Sequence, residues 1–412
     1  MRKTILAASL AAALVAGLSS LAIAQQPAAP AEAKDQGLKL GIFDVSGYVD
    51  ISANRLSRRN VFITTPAGTG GGPSRVFDLH RDGLALHQLA ATLANQPKEG
   101  LGGLVNVTVG RDADVIAPYK TTPPKGNLCN VATGFDANGN TCKRDHFDIT
   151  QAFLQYATGS WTFIGGKYVT LAGAEVINTP TNTNFSRSIL FGYAIPFSHT
   201  GLRATYAFSD TFSLTGGVNQ GWDDIKDTNS AKTGEIGLLW SPSKMVTLGA
   251  QTYFGKERAA GLTKTELPAA RRLEGQRKLL DVVLTINATE KLTFVLNYDN
   301  ASQANTVNET PAPGATTSKW DGFAGYANYQ FNDQWRLSFR TESFNDKHGY
   351  RTGVVQKWKE NTLTVAWLPT KPIELRAEVR RDRSNVASFL DVDGVTGRNN
   401  NNSYGLQLLY KF

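Results

Sequence analysis

The chain has 412 residues, with 39 Gly, 20 Phe and 13 Tyr but only two Cys and two Met, and a formal net charge of +8. No basic run exceeds two residues, so the charge does not describe a nucleic-acid-binding surface. No segment carries 18 consecutive apolar residues, which excludes a chain that crosses a bilayer by helices.

At the start, Met1-Arg2-Lys3-Thr4 precedes an apolar run from Ile5 to about Ala16, and Ala22-Ile23-Ala24 places small residues where a signal peptidase needs them. This predicts a secretory signal peptide over residues 1–24 and a processed chain beginning near Gln25. Residues 25–39, rich in Ala, Pro and Gln, lack periodicity and read as a flexible periplasmic leader. From Leu40 the dominant hydrophobic period is two, the period of a strand with two different faces. Phe43, Val45, Val49 and Ile51 alternate with Asp44, Ser46, Tyr48 and Asp50. The segments near 84–95 and 145–157 alternate poorly. Between them, Cys129 and Cys142 lie in a Gly/Asn-rich stretch. Export to an oxidising compartment makes them a disulfide closing a small loop. A zinc site would need further His or Cys partners, and only His146 is near, so no metal is expected.

The later strands alternate more strictly. Val246, Leu248 and Ala250 alternate with Thr247, Gly249 and Gln251, and Leu280, Val282, Leu284 and Ile286 alternate with Asp281, Val283, Thr285 and Asn287. Trp335, Leu337 and Phe339 oppose Arg336, Ser338 and Arg340. Leu363, Val365 and Trp367 oppose Thr362, Thr364 and Ala366. Ile373, Leu375, Ala377 and Val379 oppose Glu374, Arg376, Glu378 and Arg380. The last strand sets Tyr404, Leu406, Leu408, Tyr410 and Phe412 on one face. A terminal aromatic such as Phe412 resembles the signal read by the barrel-assembly machinery.

Connections alternate in length as well. Ser209-Asp210, Ser241-Pro242-Ser243, Ala288-Thr289-Glu290, Asn332-Asp333 and Pro369-Thr370-Lys371 read as tight turns, and the segments between them are long. Short turns at one end and long loops at the other describe an all-β, antiparallel, up-and-down transmembrane β-barrel over residues 40–412, with turns periplasmic and loops extracellular. Eight long loops and seven turns predict about sixteen strands. All seven Trp fall at predicted strand ends: Trp161, Trp240, Trp335 and Trp367 beside short turns, Trp222, Trp320 and Trp358 beside long loops. This predicts two aromatic belts at the two edges of the apolar band. A soluble sandwich is excluded because many segments reach roughly nine to eleven residues, the length of a tilted membrane strand.

The stretch Phe153 to Asp223 resembles the OmpL-like β-barrel porin family of Gram-negative bacteria. Gly166-Lys167-Tyr168, Gly173-x-Glu175, Asn184-Phe185-Ser186-Arg187-Ser188, Pro196 with His199-Thr200-Gly201, and Asn219-x-Gly221-Trp222 carry the resemblance, and Phe77-Asp78-Leu79 through Leu86 fits an earlier strand. It extends in pattern over the whole processed chain. The resemblance implies a porin-type barrel in the outer membrane, surrounded by outer-membrane lipids, and supplies no substrate. The leading functional expectation is passive diffusion of small hydrophilic solutes, with no cofactor. General porins are trimers, so a homotrimer is one expectation. The sequence shows no flat apolar interface, which leaves the oligomeric state open.

In general porins the third long loop folds into the barrel, so the resemblance implies that the segment of about 171–200 enters the lumen; an ordinary outward loop is the alternative. Lys167 and Glu175 flank its start and either pair or touch solute. Lysine and arginine at inward positions set ion selectivity. The candidates for the pore lining and constriction are Lys167, Glu175, Asn184, Arg187, Arg203, Arg336, Arg340, Arg376 and Arg380. A basic stripe along Arg336, Arg340, Arg376 and Arg380 implies weak anion preference. Arg/Glu pairing that stiffens the wall, with Asp281, Glu342, Glu374 and Glu378 as the acids, is the alternative. No Gly-x-Ser-x-Gly elbow, phosphate loop or His-Glu-x-x-His occurs, so no enzyme is expected. A structural or adhesive barrel that binds an extracellular partner through its long loops is the competing function.

Overall fold

The computed structural model describes residues 38–65, 68–69, 73–79, 81–117, 146–227, 229–258, 274–306 and 316–412. Cys129 and Cys142 and residues 1–37 fall outside this set, so the expected disulfide, the signal peptide and most of the leader do too.

Sixteen strands form the wall. They are β1 (Phe43–Leu56), β2 (Asp82–Asn95), β3 (Gly100–Val109), β4 (Phe147–Thr158), β5 (Trp161–Val169), β6 (Ser198–Ser209), β7 (Phe212–Asn219) and β8 (Thr233–Ser243) in the first half. The second half holds β9 (Val246–Arg258), β10 (Glu274–Asn287), β11 (Leu292–Thr306), β12 (Thr316–Asn332), β13 (Trp335–Asp346), β14 (Gln356–Thr370), β15 (Ile373–Ser384) and β16 (Asn400–Lys411). Each strand pairs antiparallel with the next, and β1 pairs with β16 from Tyr48↔Lys411 to Leu56↔Ser403, closing the ring. Closure leaves no ladder edge, the condition a sheet must meet in hydrocarbon. Phe412 completes the seam: its N–H and C=O both bond Gly47, and a Cβ at Gly47 would strike the Phe412 ring.

Exposure follows the period-two pattern. On β15 the charged Glu374, Arg376, Glu378 and Arg380 are buried while Leu375 and Val379 are exposed, and β14 and β16 repeat this. The apolar face is therefore the outer face, inverted relative to a soluble protein.

The two poorly alternating segments have a shared cause. On β2 the register shifts so that Asp50 opposes Gln88 and Ile51 opposes Leu86, leaving His87 as an extra residue. On β4 the shift falls between Asn106↔Gln151 and Val107↔Ile149, leaving Thr150 extra. Each is a β-bulge, which inserts one residue and flips the phase of everything beyond it. Leu84 and Leu86 face out before the first bulge and Leu89 after it. The extra inward residue is used: His87 Nδ1 lies 2.9 Å from Asp112 at the start of the short helix α1 (Ala113–Ile116).

Two expectations are corrected. Neither proline-containing turn lies where expected: β8 runs through Ser241-Pro242-Ser243 and β14 through Pro369 and Thr370, and the turns fall at 244–245 and 371–372. Pro242 sits where the β8–β9 register shifts, and there its missing N–H breaks no ladder bond. The second Trp belt does not form. Trp161, Trp240, Trp335 and Trp367 are 42–44% exposed on the outer wall, but Trp222, Trp320 and Trp358 are at most 6% exposed. These three belong to an apolar core inside the barrel with Phe62, Phe191, Phe344 and Phe389. Strand-end position alone does not say which face a residue takes; the phase within the strand does.

Candidate functional site

The segment 170–197, between β5 and β6, supplies the inner side of that core. Ile177, Ile189, Leu190, Phe191, Tyr193 and Ile195 pack with Trp222, Trp320 and Trp358. It holds a 3₁₀ turn at Thr179–Thr181 and one short α-helix, α2 (Ile189–Tyr193), capped where Ser188 Oγ accepts the Phe191 N–H at 2.9 Å. Along its length it is bonded to inward-facing side chains from many strands. Leu171 N–H donates to the Tyr253 hydroxyl of β9 at 2.9 Å, and Ala174 N–H to Asn297 of β11 at 3.2 Å. Gln88 of β2 donates to the Ile177 carbonyl at 3.1 Å, and Trp320 Nε1 of β12 to the Ala194 carbonyl at 3.0 Å.

The densest bonding is to β13, β14 and β15. Glu342 accepts the Ile189 and Leu190 N–H groups at 2.9 and 3.1 Å, at the N-terminus of α2. There a carboxylate satisfies donors that have no helical partner and meets the positive end of the local dipole. Glu378 accepts the Phe185 and Ser186 N–H groups at 2.7 and 3.0 Å. Arg376 donates to the Asn182 and Asn184 carbonyls at 2.7 and 3.1 Å, and Arg380 to the Arg187 carbonyl at 2.7 Å. Asn184 donates to Thr364 at 2.7 Å. An irregular segment inside a barrel has no ladder to satisfy its backbone, so these side chains do it instead.

Arg340 is the centre of this sector. Its guanidinium is fully buried and lies 2.7 Å from Glu175, 3.3 Å from Glu342 and 3.0 Å from Glu360. It also donates to the Ser186 carbonyl at 2.6 Å. Five donors in a fixed planar fork let one Arg bridge wall and segment in this way. Arg380 is held in turn by Asp382 at 2.8 Å, and Asp382 binds Arg75 at 2.7 Å.

Three wall glycines act as seats. A Cβ at Gly405 would lie 2.5 Å from the Phe185 ring, one at Gly322 2.7 Å from Leu190, and one at Gly237 2.9 Å from Leu171. They lie on β16, β12 and β8, so apolar side chains of the segment enter the wall at three separated points. At the bend before Glu175, Gly173 takes φ +95°, a conformation side-chain-bearing residues rarely adopt.

Of the sequence candidates, Glu175, Asn184, Arg187, Arg340, Arg376 and Arg380 converge on this network. Arg187 donates to the Ile177 carbonyl at 2.9 Å and Thr179 at 3.0 Å. The others lie apart. Lys167 binds Asp148 at 2.9 Å. Arg203 makes a two-pronged bond to Glu235, at 2.5 and 2.9 Å, and lies over the Tyr168 ring. Arg336 reaches Glu374 at 2.5 Å near the short-turn end. Sequence reading did not name Glu360, Asp382 or Tyr253 as site residues. The inward phase marks all three, but nothing in one sequence says which inward residues a distant loop will reach.

One sector is left less filled. Between residues 173–183 and the short-turn half of β8–β12 lies a cavity of about 190 Å³, walled by Leu239, Val283, Val295 and Tyr326 among others. Among the described residues no cluster of three metal-ligating side chains occurs.

A closed antiparallel ring of sixteen strands, polar within and apolar without, is the fold of an outer-membrane porin. The chain belongs to the family described as "Putative beta-barrel porin-2, OmpL-like", which matches residues 43–412. Among solved structures it is similar to the outer membrane channel DcaP of Acinetobacter baumannii, at 15% identity and TM-score 0.55 over 91% of this chain and 99% of that one. It is also similar to an anion-selective porin from Comamonas acidovorans, at 10% identity and TM-score 0.56 over 90% and 99%. A third is OmpT of Vibrio cholerae, at 11% identity and TM-score 0.54 over 92% and 100%. At these identities the likeness is one of fold. No curated protein sequence matches the chain. Family and fold point to a channel rather than an enzyme.

Proposed function

We propose that this barrel is a porin through which small hydrophilic solutes diffuse passively across the outer membrane. The observation that carries the reading is the asymmetric filling of the lumen: segment 170–197 is bonded closely to β13–β15 and leaves a cavity along β8–β12. A sixteen-stranded barrel is wide enough for an aqueous channel unless something fills it. In this reading Glu175, Asn184, Arg187, Arg340, Arg376 and Arg380 hold the constriction in place. The long connections face outward, the short turns face the periplasm, residues 1–24 direct export, Phe412 serves assembly, and Cys129 and Cys142 form a disulfide. A homotrimer fits the proposal, and cross-linking in native membranes tests it.

The weak anion preference is narrowed. Arg336, Arg340, Arg376 and Arg380 each lie beside a carboxylate, so their charges are largely cancelled where they stand. Our reading keeps at most a shallow preference, with a reversal potential close to zero in a salt gradient; a strong preference of either sign overturns it. A planar-bilayer recording tests the pore: stepwise conductance supports it, and a folded barrel with no current overturns it. The second reading, a structural or adhesive barrel, draws on the apolar core around Phe62, Trp358 and Phe389, which fills the lumen toward the long connections.

A further inference from the structure

The cavity along β8–β12 is chemically unlike the β13–β15 wall. There the inward positions that meet the segment carry charge, as Arg340, Glu342, Arg376, Glu378 and Arg380 do. Here Leu239, Val283 and Val295 are aliphatic and point inward. Register joins them into one surface: Leu239 opposes Gly249, which opposes Val283, and one row nearer the turns Thr247 opposes Thr285, which opposes Val295, which opposes Tyr326. Gly249 adds no side chain between Leu239 and Val283, so the surface is shallow and continuous. An aliphatic patch facing a lumen is costly to hydrate, and segment 170–197 does not cover it fully: Leu239 and Val295 stay partly exposed.

The polar groups around this patch are neutral. Thr247, Thr285 and Asn328 form one rim, and Thr181, Asn182 and Thr183 form the facing edge. Of the described lining residues only Glu175 is charged, and its oxygens are taken by Arg340 at 2.7 Å and the Ser188 N–H at 2.7 Å. A charged solute would lose hydration here without meeting an opposite charge, whereas a neutral one with an apolar face and a hydrogen-bond donor would meet both of its needs. The volume, about 190 Å³, suits one ring with small substituents; an apolar cavity of about 150 Å³ takes up benzene.

Building on the porin reading, we infer that this cavity is a binding site for small uncharged amphipathic solutes, bearing one apolar ring face and a hydroxyl or amide donor. Val283, Val295 and Leu239 take the ring, and the neutral rim of Thr247, Thr285 and Asn328 faces the donor. The site selects by ring face and neutrality, in contrast to selection by a basic stripe.

The test uses the full folded barrel in detergent and a matched pair of probes, 4-hydroxybenzamide and 4-hydroxybenzoate, which share a ring and differ in charge at neutral pH. Saturation-transfer NMR should show the amide bound at least about tenfold more tightly than the carboxylate, the cost of leaving a charge unpaired. Replacing the patch with Val283→Thr and Val295→Thr together should weaken the amide by about tenfold, the loss of its apolar contacts. Equal binding of the two probes overturns the inference with no variant needed, and so does amide binding that the double variant leaves unchanged. Bilayer recordings of the same protein separate this inference from the pore reading. A conducting barrel with no preference for the amide keeps the pore and rejects the site. A silent barrel that binds the amide, and loses it in the double variant, rejects the pore and keeps the site.

Discussion

The β13–β15 wall and the β8–β12 wall are built on the same alternating pattern, yet they treat the segment between β5 and β6 in opposite ways. The first presents Arg340, Glu342, Glu360, Arg376, Glu378 and Arg380 inward and bonds the segment's backbone at nearly every residue from 182 to 190. The second presents Thr, Val, Gly and Leu over its short-turn half and leaves a cavity there. The difference teaches what positions an irregular segment inside a barrel: long charged side chains that reach out and satisfy a backbone without a ladder. Short neutral ones leave space.

The largest test of this contrast is Arg340→Met. It leaves Glu175, Glu342 and Glu360 buried without their shared cation, and breaking such a pair costs about 3–5 kcal/mol. The expected result is release of the segment, read as new protease cleavage between residues 175 and 190 and a larger, noisier conductance. Full protection in the variant would break the comparison. Next is Gly405→Val, which must displace Phe185 from its seat at a cost of about 1–3 kcal/mol. It should raise hydrogen exchange at Phe185 and Ser186 while leaving the β1–β16 seam protected.

A third test lies outside the strands. Burial, then Glu257 and Asp223, push the Asp224 carboxyl up to about 7. A carboxyl raised in the folded state contributes stability that is fully present below its ordinary value and lost as pH climbs through about 7. Protection factors of amides 220–227, corrected for the intrinsic rise of exchange with pH, should therefore fall between pH 5 and pH 8, and Asp224→Asn should remove that fall; an unchanged fall in the variant would refute the assignment. The smallest effect is expected for Thr285→Ala on the sparsely bonded wall. No hydrogen bond from segment 170–197 engages it in the structure, so stability should stay within about 0.5 kcal/mol of the parent by denaturant midpoint. A change as large as that of Gly405→Val would remove the distinction between the two walls.

Much of the frame is legible in one sequence because it is local. The facing of Glu374, Arg376, Glu378 and Arg380 follows from period two, and the order of Arg376, Glu378 and Arg380 along β15 is the order in which they meet residues 182–187 of the segment. Bulges at His87 and Thr150 erased that signal for one stretch each, since one inserted residue flips the phase. The Trp at the long-loop end misled for a related reason: position near a strand end is visible, but an inward phase turned Trp320 and Trp358 into core rather than belt. Val283 between Asp281 and Thr285, and Val295 between Thr293 and Asn297, are aliphatics at inward positions, the traces of the cavity that a sequence carries.

A sheet of about sixteen strands, apolar outside and polar inside, is readable from the chain alone, because alternation and turn chemistry act over a few residues. That Arg340 joins Glu175 to Glu360, that Gly405 seats Phe185, and which wall segment 170–197 leaves uncovered are set by the three-dimensional packing. Glu175 and Phe185 meet those wall residues because segment 170–197 folds inside the ring, 165 residues separating Glu175 from Arg340, and no local pattern encodes a contact made at that distance.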